Sequence, residues 1–265
     1  MSALDPARAS AEGRLGFLLQ PTYRVRAGRP VVQLFGRLQD GPPFLVEDGR
    51  ERPYFFVREQ DRAALPRGAA EVSPTELRDL AGEPVARVSV AVPSEVPPLR
   101  ERLAAAGVEC LEADVRFSYR YLIDRDIRAG VVIRGPSETR DGIVVFRDPE
   151  VTPAEVAPSL TVVSLDIETS LRSDLVFSVA LVGAGGEEVP PLAKQPVAGA
   201  VVPPDERALL AAVVARLRAL DPDLLLGWNV VDFDLRALAA RCRACGVPFR
   251  IGRTAEEVSF VRHHT

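Results

Sequence analysis

The stretch VVSLDIETSL, residues 162–171, runs apolar to Leu165 and then sets Asp166 and Glu168 on either side of Ile167. Side chains alternate along a strand, so the two acids share one face and Ile167 takes the other. Two carboxylates at the end of a buried strand repel each other and lose hydration. A divalent cation removes both penalties. Magnesium prefers carboxylate oxygens and keeps waters for substrate phosphates. Paired magnesium or manganese ions, roughly 3.5–4 Å apart, serve phosphodiester chemistry. The plain alternative is that D-x-E caps a strand at the surface, with Thr169 opening a turn.

A second constellation bears on that choice. GWNVVDFDLRAL, residues 227–238, places Asn229, Asp232, Phe233 and Asp234 where a short apolar strand gives way to a helix. Asp234 falls in the first helical turn, where a third carboxylate can face Asp166 and Glu168. Here the plain alternative is helix capping by Asp232 or Asp234.

Working outward, residues 161–167 and 174–183 read as strands, with Gly185-Gly186 turning into a third near 187–191. Residues 204–220 read as a helix that buries Leu209, Leu210, Val213, Val214 and Leu217 on one stripe. DLLLGW (223–228) reads as a short buried strand. A second helix is expected from about Phe233 to Cys245, with Leu235, Leu238, Ala239 and Cys242 at helical spacing. The order β-β-β-α-β-α predicts a mixed sheet with flanking helices.

Upstream, residues 16–25 and 30–39 read as strands joined through Gly28. FLVEDGRERPYFFV (44–57) has the signature of a hairpin turning at Asp48-Gly49. Residues 85–92 read as a half-buried strand. A helix over 94–106 is expected, with Gly107 as its C-terminal cap. YLIDRDI (121–127) suggests a short helix and GVVIRG (130–135) a strand. Residues 147–159 carry three prolines and little periodicity, which predicts a boundary. The expected organisation is a loose tail over 1–13, an α+β, β-rich domain over 14–148, and a second domain over 149–265.

Composition narrows the function classes. The chain has 265 residues, 47% hydrophobic and 26% charged, with a formal charge of −4. It lacks the bulk positive charge of many nucleic-acid binders. A site of carboxylates and metal does not need that charge. No apolar run approaches the roughly 18 residues of a membrane span. Three cysteines suit a reducing cytoplasm. Cys242 and Cys245 form an isolated C-x-x-C on a predicted helix and read as structural. His263 and His264 read as solvated chain-end residues. Tyr54, Phe55 and Phe56 offer aromatic surface, and RFSYRYLIDR (116–125) interleaves aromatics with arginines. Both runs fit packing better than nucleic-acid contact.

SLDIETS followed by GWNVVDFDLRAL resembles the first two exonuclease motifs of family B DNA polymerases, D-I-E and then N-x-x-x-F-D. The bacterial DNA polymerase II group is the nearest resemblance. EADVRFSYRYLIDRDI (112–127) is similar to the segment joining that family's N-terminal domain to its exonuclease. The likeness covers most of the chain from about residue 14 and is strongest from 110. It implies an N-terminal domain followed by a partial RNase H-like 3′–5′ exonuclease domain that proofreads by two-metal hydrolysis with Mg2+ or Mn2+. Carried over by position, Asp166 bridges both metals. Glu168 binds the first and orients the water, and Asp234 acts on the second. Asn229 and Phe233 position the single strand. The backbones of Leu165 and Thr169 lie near the terminal nucleotide.

The implied partners are a single-stranded DNA 3′ end or primer–template DNA and the rest of a polymerase chain. A sliding clamp reached through a missing C-terminal part is also implied, as is a cytoplasmic, nucleoid-associated location. One departure stands out. The family's third motif, Y-x-x-x-D, has no counterpart, because neither Asp nor Tyr follows Asp234. The metal site is therefore expected to be incomplete and the fragment weakly active or inactive. A stand-alone RNase H-like nuclease and a non-catalytic single-strand-binding module are the alternatives.

Overall fold

The computed structural model describes residues 13–260 except 67, 69, 173, 184–187 and 194–202. The N-terminal tail, the Gly185-Gly186 turn and both histidines lie outside the described residues. The chain divides into two compact units, one reaching to Pro158 and the other starting at Ser159.

Among the described residues the first unit holds ten strands: β1 Arg14–Arg26, β2 Arg29–Leu38, β3 Pro43–Asp48, β4 Tyr54–Arg58, β5 Glu71–Arg78, β6 Pro84–Ser89, β7 Gly130–Arg134, β8 Ser137–Arg140, β9 Ile143–Arg147 and β10 Glu150–Pro153. They form a seven-stranded sheet in the order β10-β7-β1-β2-β3-β9-β8 and a three-stranded sheet in the order β4-β6-β5. Helix α1 (Val96–Ala105) buries Leu99 and Leu103 with Phe55, Val57, Ala86 and Val88 of the smaller sheet. It ends as its sequence predicts. Gly107 takes a left-handed φ of 78°, and the Val108 N–H donates to the Leu103 carbonyl at 2.9 Å. Helix α2 (Phe117–Ile123) begins earlier than expected and packs Phe117, Tyr121 and Leu122 with the core of the larger sheet.

The expected hairpin over 44–57 does not form. β3 pairs with β2 and β9, whereas β4 pairs with β6 in the other sheet. Asp48 is drawn into the core instead of turning the chain. It is fully buried, binds Arg50 Nη2 at 2.6 Å and accepts from the Tyr121 hydroxyl at 3.0 Å. Burial alone would push this carboxyl up, but the hydrogen bonds from Arg50 and Tyr121 outweigh it and hold it below the ordinary aspartate range. Residues 150–153, read as linker, form β10 and pair with β7. The structure thus carries the first unit's sheet past the expected boundary at 148.

The two aromatic-rich runs serve packing. Phe55 and Phe56 are buried, and Arg87 stacks over the half-buried Tyr54 ring at 3.6 Å. Arg120 is buried and paired with Glu112 at 2.7 Å.

The second unit has β11 (Val162–Thr169), β12 (Val176–Gly183), β13 (Glu188–Ala193), α3 (Glu206–Leu220), β14 (Leu224–Leu226) and α4 (Asp234–Ala244). The sheet order is β13-β12-β11-β14, with β14 parallel to β11 and the other pairs antiparallel. This is the mixed sheet expected from the element order. Val163, Leu165 and Ile167 of β11 pack in one core with Val176, Val179 and Leu181 of β12. Leu209, Leu210, Val213 and Leu217 of α3 and Leu238 and Cys242 of α4 join them. Each such leucine stabilises by about 1.5–3 kcal/mol on burial.

Asp205 caps α3 by accepting the Ala208 N–H at 2.8 Å. Glu206 then ties three elements together. It accepts the Val176 N–H at 2.8 Å and both Arg241 nitrogens, at 3.0 and 2.8 Å. β14 departs from expectation: Leu224 and Leu225 are only half-buried and Leu226 is exposed. It carries an apolar sequence, but that does not determine whether another element covers it.

Candidate active site

β11 is an inner strand, and its alternation is complete. Val163, Leu165 and Ile167 face the helices, while Ser164, Asp166 and Glu168 are exposed on the opposite face. The antiparallel register sets Asp166 across from Ala180 and Glu168 across from Ser178. The pairing slips between Glu168 and Thr169, so the half-buried Thr169 sits at a bulge where the strand ends. Leu165 is 1% exposed, backbone included, and its carbonyl oxygen is covered by Gly227.

β14 ends opposite Ser164. Gly227 follows it and lies hard against β11. A Cβ there would stand 2.6 Å from the Leu165 carbonyl oxygen, nearer than any side chain can come. The chain then turns through Asn229, which is exposed and left-handed at φ 59°. Asparagine tolerates that region better than most residues. The Asn229 carbonyl accepts the Phe233 N–H at 2.9 Å, and the Val230 carbonyl accepts the Leu235 N–H at 2.8 Å. Phe233 occupies the N-cap position of α4, partly exposed and without a side-chain cap. Neither aspartate therefore caps this helix. Asp232 is exposed and pairs with Arg236 at 3.1 Å.

Asp234, the first residue of α4, is 2% exposed, and its Oδ2 has no hydrogen-bond partner. Burial pushes its pKa up, and the Asp166 carboxylate pushes it further. Its own N–H and that of Ile167 pull it back only in part. A cation would relieve both the burial of this carboxylate, with its orphaned oxygen, and the neighbouring Asp166 charge. The chemistry of this donor pair fits a hard divalent ion. The described residues contain no group of three or more His, Cys, Asp or Glu side chains able to hold a metal. The charge of Asp166 reaches Asp234, and the expected trio with Glu168 is not closed among the described residues.

Two contributors were not read from the sequence. Gly227 carries a signal, a glycine ending a strand, whose purpose appears only once Leu165 is beside it. Trp228, the single tryptophan, is 94% exposed in the turn, although DLLLGW (223–228) was read as a buried strand and Trp228 was given no role. Cys242 is buried in the core, and burial pushes its thiol up to about 12, as suits a packing residue.

An inner strand of a mixed sheet thus ends in exposed acids, and a helix that starts at a buried carboxylate packs on the sheet's core. Residues 174–264 match the family described as DNA polymerase family B, exonuclease domain. DNA polymerase II of Escherichia coli K12 is 32% identical over 200 residues, covering 72% of this chain and 25% of that protein. A DNA polymerase of Archaeoglobus fulgidus is 27% identical over 268 residues, covering 92% of this chain and 32% of that protein. The solved family B polymerase of Pyrobaculum calidifontis superposes with a TM-score of 0.72 at 27% identity, covering 89% of this chain and 33% of that one. The chain belongs to the family B DNA polymerases, and its fold is that of their N-terminal and exonuclease domains. It spans between a quarter and a third of the length of these relatives.

Proposed function

We propose that this chain is the N-terminal and exonuclease part of a DNA-directed DNA polymerase, and that its second unit removes nucleotides from a frayed 3′ end. The observation that carries this reading is the buried carboxylate of Asp234 on α4, whose Oδ2 has no hydrogen-bond partner and which feels the charge of Asp166 on β11. Asp166 and Asp234 would hold the divalent ions, with Glu168 further along the same exposed face. Bound Mg2+ or Mn2+ would supply activation of the attacking water and charge stabilisation at the leaving oxygen. Asn229 and Phe233, on the turn that leads into Asp234, flank the place where a single strand would lie. The Leu165 and Thr169 backbones border the same face. Clamp binding and a place in the nucleoid belong to this reading of the whole protein.

The test is Mn2+ binding, measured calorimetrically on the parent and on Asp166→Ala without DNA. Affinity is expected to fall at least about 10–100-fold. An Asp166→Ala variant that binds Mn2+ as tightly as the parent would remove the carboxylate pair from the metal site, and with it the nuclease reading.

A further inference from the structure

Trp228 stands almost wholly in water, 94% exposed, although it is the only tryptophan in the chain. A ring so placed adds nothing to the core and is suited to contact a ligand. Its backbone is nonetheless fixed. On one side Gly227 is pinned against the Leu165 carbonyl, and on the other Asn229 is locked into the turn by the Phe233 N–H. The indole is therefore presented from a defined turn that starts beside the Leu165–Asp166 peptide and ends in Asp234. Leu226 and Val231 beside it are also about half exposed, at 51% and 55%.

The surroundings select the occupant. A covering protein segment wants a continuous apolar surface. Here two exposed rings, Trp228 and Phe233, stand apart on one turn with the polar Asn229 between them, next to the acids of β11. A single nucleic-acid strand offers a flat apolar base face on each unit to such isolated rings, and a divalent cation would bridge its phosphates to the acids. We propose that Trp228 stacks on a base of the single strand whose 3′ end lies at Asp166 and Asp234. This rests on the nuclease reading above and names the residue that grips the strand.

The single tryptophan makes the test direct. The whole chain is titrated with hexathymidylate bearing a free 3′-hydroxyl, with Ca2+ in place of Mg2+, while tryptophan emission is followed. The free chain should emit as a water-exposed indole, and the oligomer should quench it. Labelled-oligomer anisotropy should show binding weakened about 10–100-fold in Trp228→Ala and restored to within about threefold of the parent in Trp228→Phe. An abasic oligomer with the same phosphates should bind the parent and Trp228→Ala alike.

Three outcomes overturn the proposal. One is blue-shifted emission in the free chain, which means that protein covers the ring. The others are emission indifferent to the oligomer and Trp228→Ala binding as well as the parent. The Mn2+ measurement on Asp166→Ala uses no DNA, so failure of the metal site and failure of the stacking contact are read separately.

Discussion

Asp234 shows how much one side chain's surroundings decide. Burial and then the Asp166 charge raise its pKa above the ordinary aspartate value. A carboxyl raised in the folded state adds stability in full below its unfolded pKa and loses it as pH rises through the folded value. The metal-free chain should therefore lose this contribution on going from acid pH toward neutrality. Asp234→Asn keeps the shape and removes the charge. Without metal its Tm at pH 7 should exceed that of the parent, by the equivalent of about 1–3 kcal/mol. The gap should close near pH 4. With Mn2+ the order should reverse, because only the parent gains full ligand stabilisation. A parent–variant difference that does not change with pH would contradict this account of Asp234. Asp166, Glu168 and Asp234 were legible in the sequence because strand alternation and a strand-to-helix junction fix where a residue lies. Which of them meet was not legible. That depends on the path of the Gly227–Phe233 turn, which no periodicity encodes.

Between residue and fold, the turn from β14 into α4 carries the site. An alanine at position 227 would set its Cβ 2.6 Å from the Leu165 oxygen and 3.0 Å from the Val230 Cβ. The turn must shift, because neither neighbour is the free end of a flexible chain. Gly227→Ala should destabilise the second unit by about 1–3 kcal/mol in urea unfolding. It should also weaken Mn2+ binding roughly tenfold or more, since a supporting residue displaces its ligand. Lowered stability with unchanged Mn2+ affinity would show that the turn does not position Asp234. Helices α3 and α4 were legible because an apolar stripe at period 3.6 has one interpretation. The Asp48-Gly49 hairpin was misread because both arms carry good strand patterns, while β3 pairs back with β2 and on to the distant β9, and β4 pairs with β6 of the other sheet. A bond between Asp48 and Tyr121, 73 residues apart, overrides a local turn signal. β14 was misread as buried for a related reason, since three leucines do not specify what lies on top of them.

On the scale of the whole molecule, the core of the second unit draws only on residues from Val163 onward, and the two cores of the first unit stop at Val151. Each unit thus has buried clusters, and a source of cooperativity, of its own. The proline-rich stretch at 147–159 was read as a boundary, and the first compact unit reaches to Pro158. The exact handover was hidden, because β10 is recruited by β7 from within that stretch. Urea unfolding followed by far-ultraviolet dichroism, which reports both units, should show two transitions, the mark of a departure from two-state behaviour. Leu238→Ala removes a fully buried side chain from the α4 stripe and should destabilise the second unit by about 2–5 kcal/mol. Only one of the two transitions should move to lower urea. If Leu238→Ala instead displaces the whole dichroism curve, the two cores melt as one body and independent cooperativity is wrong.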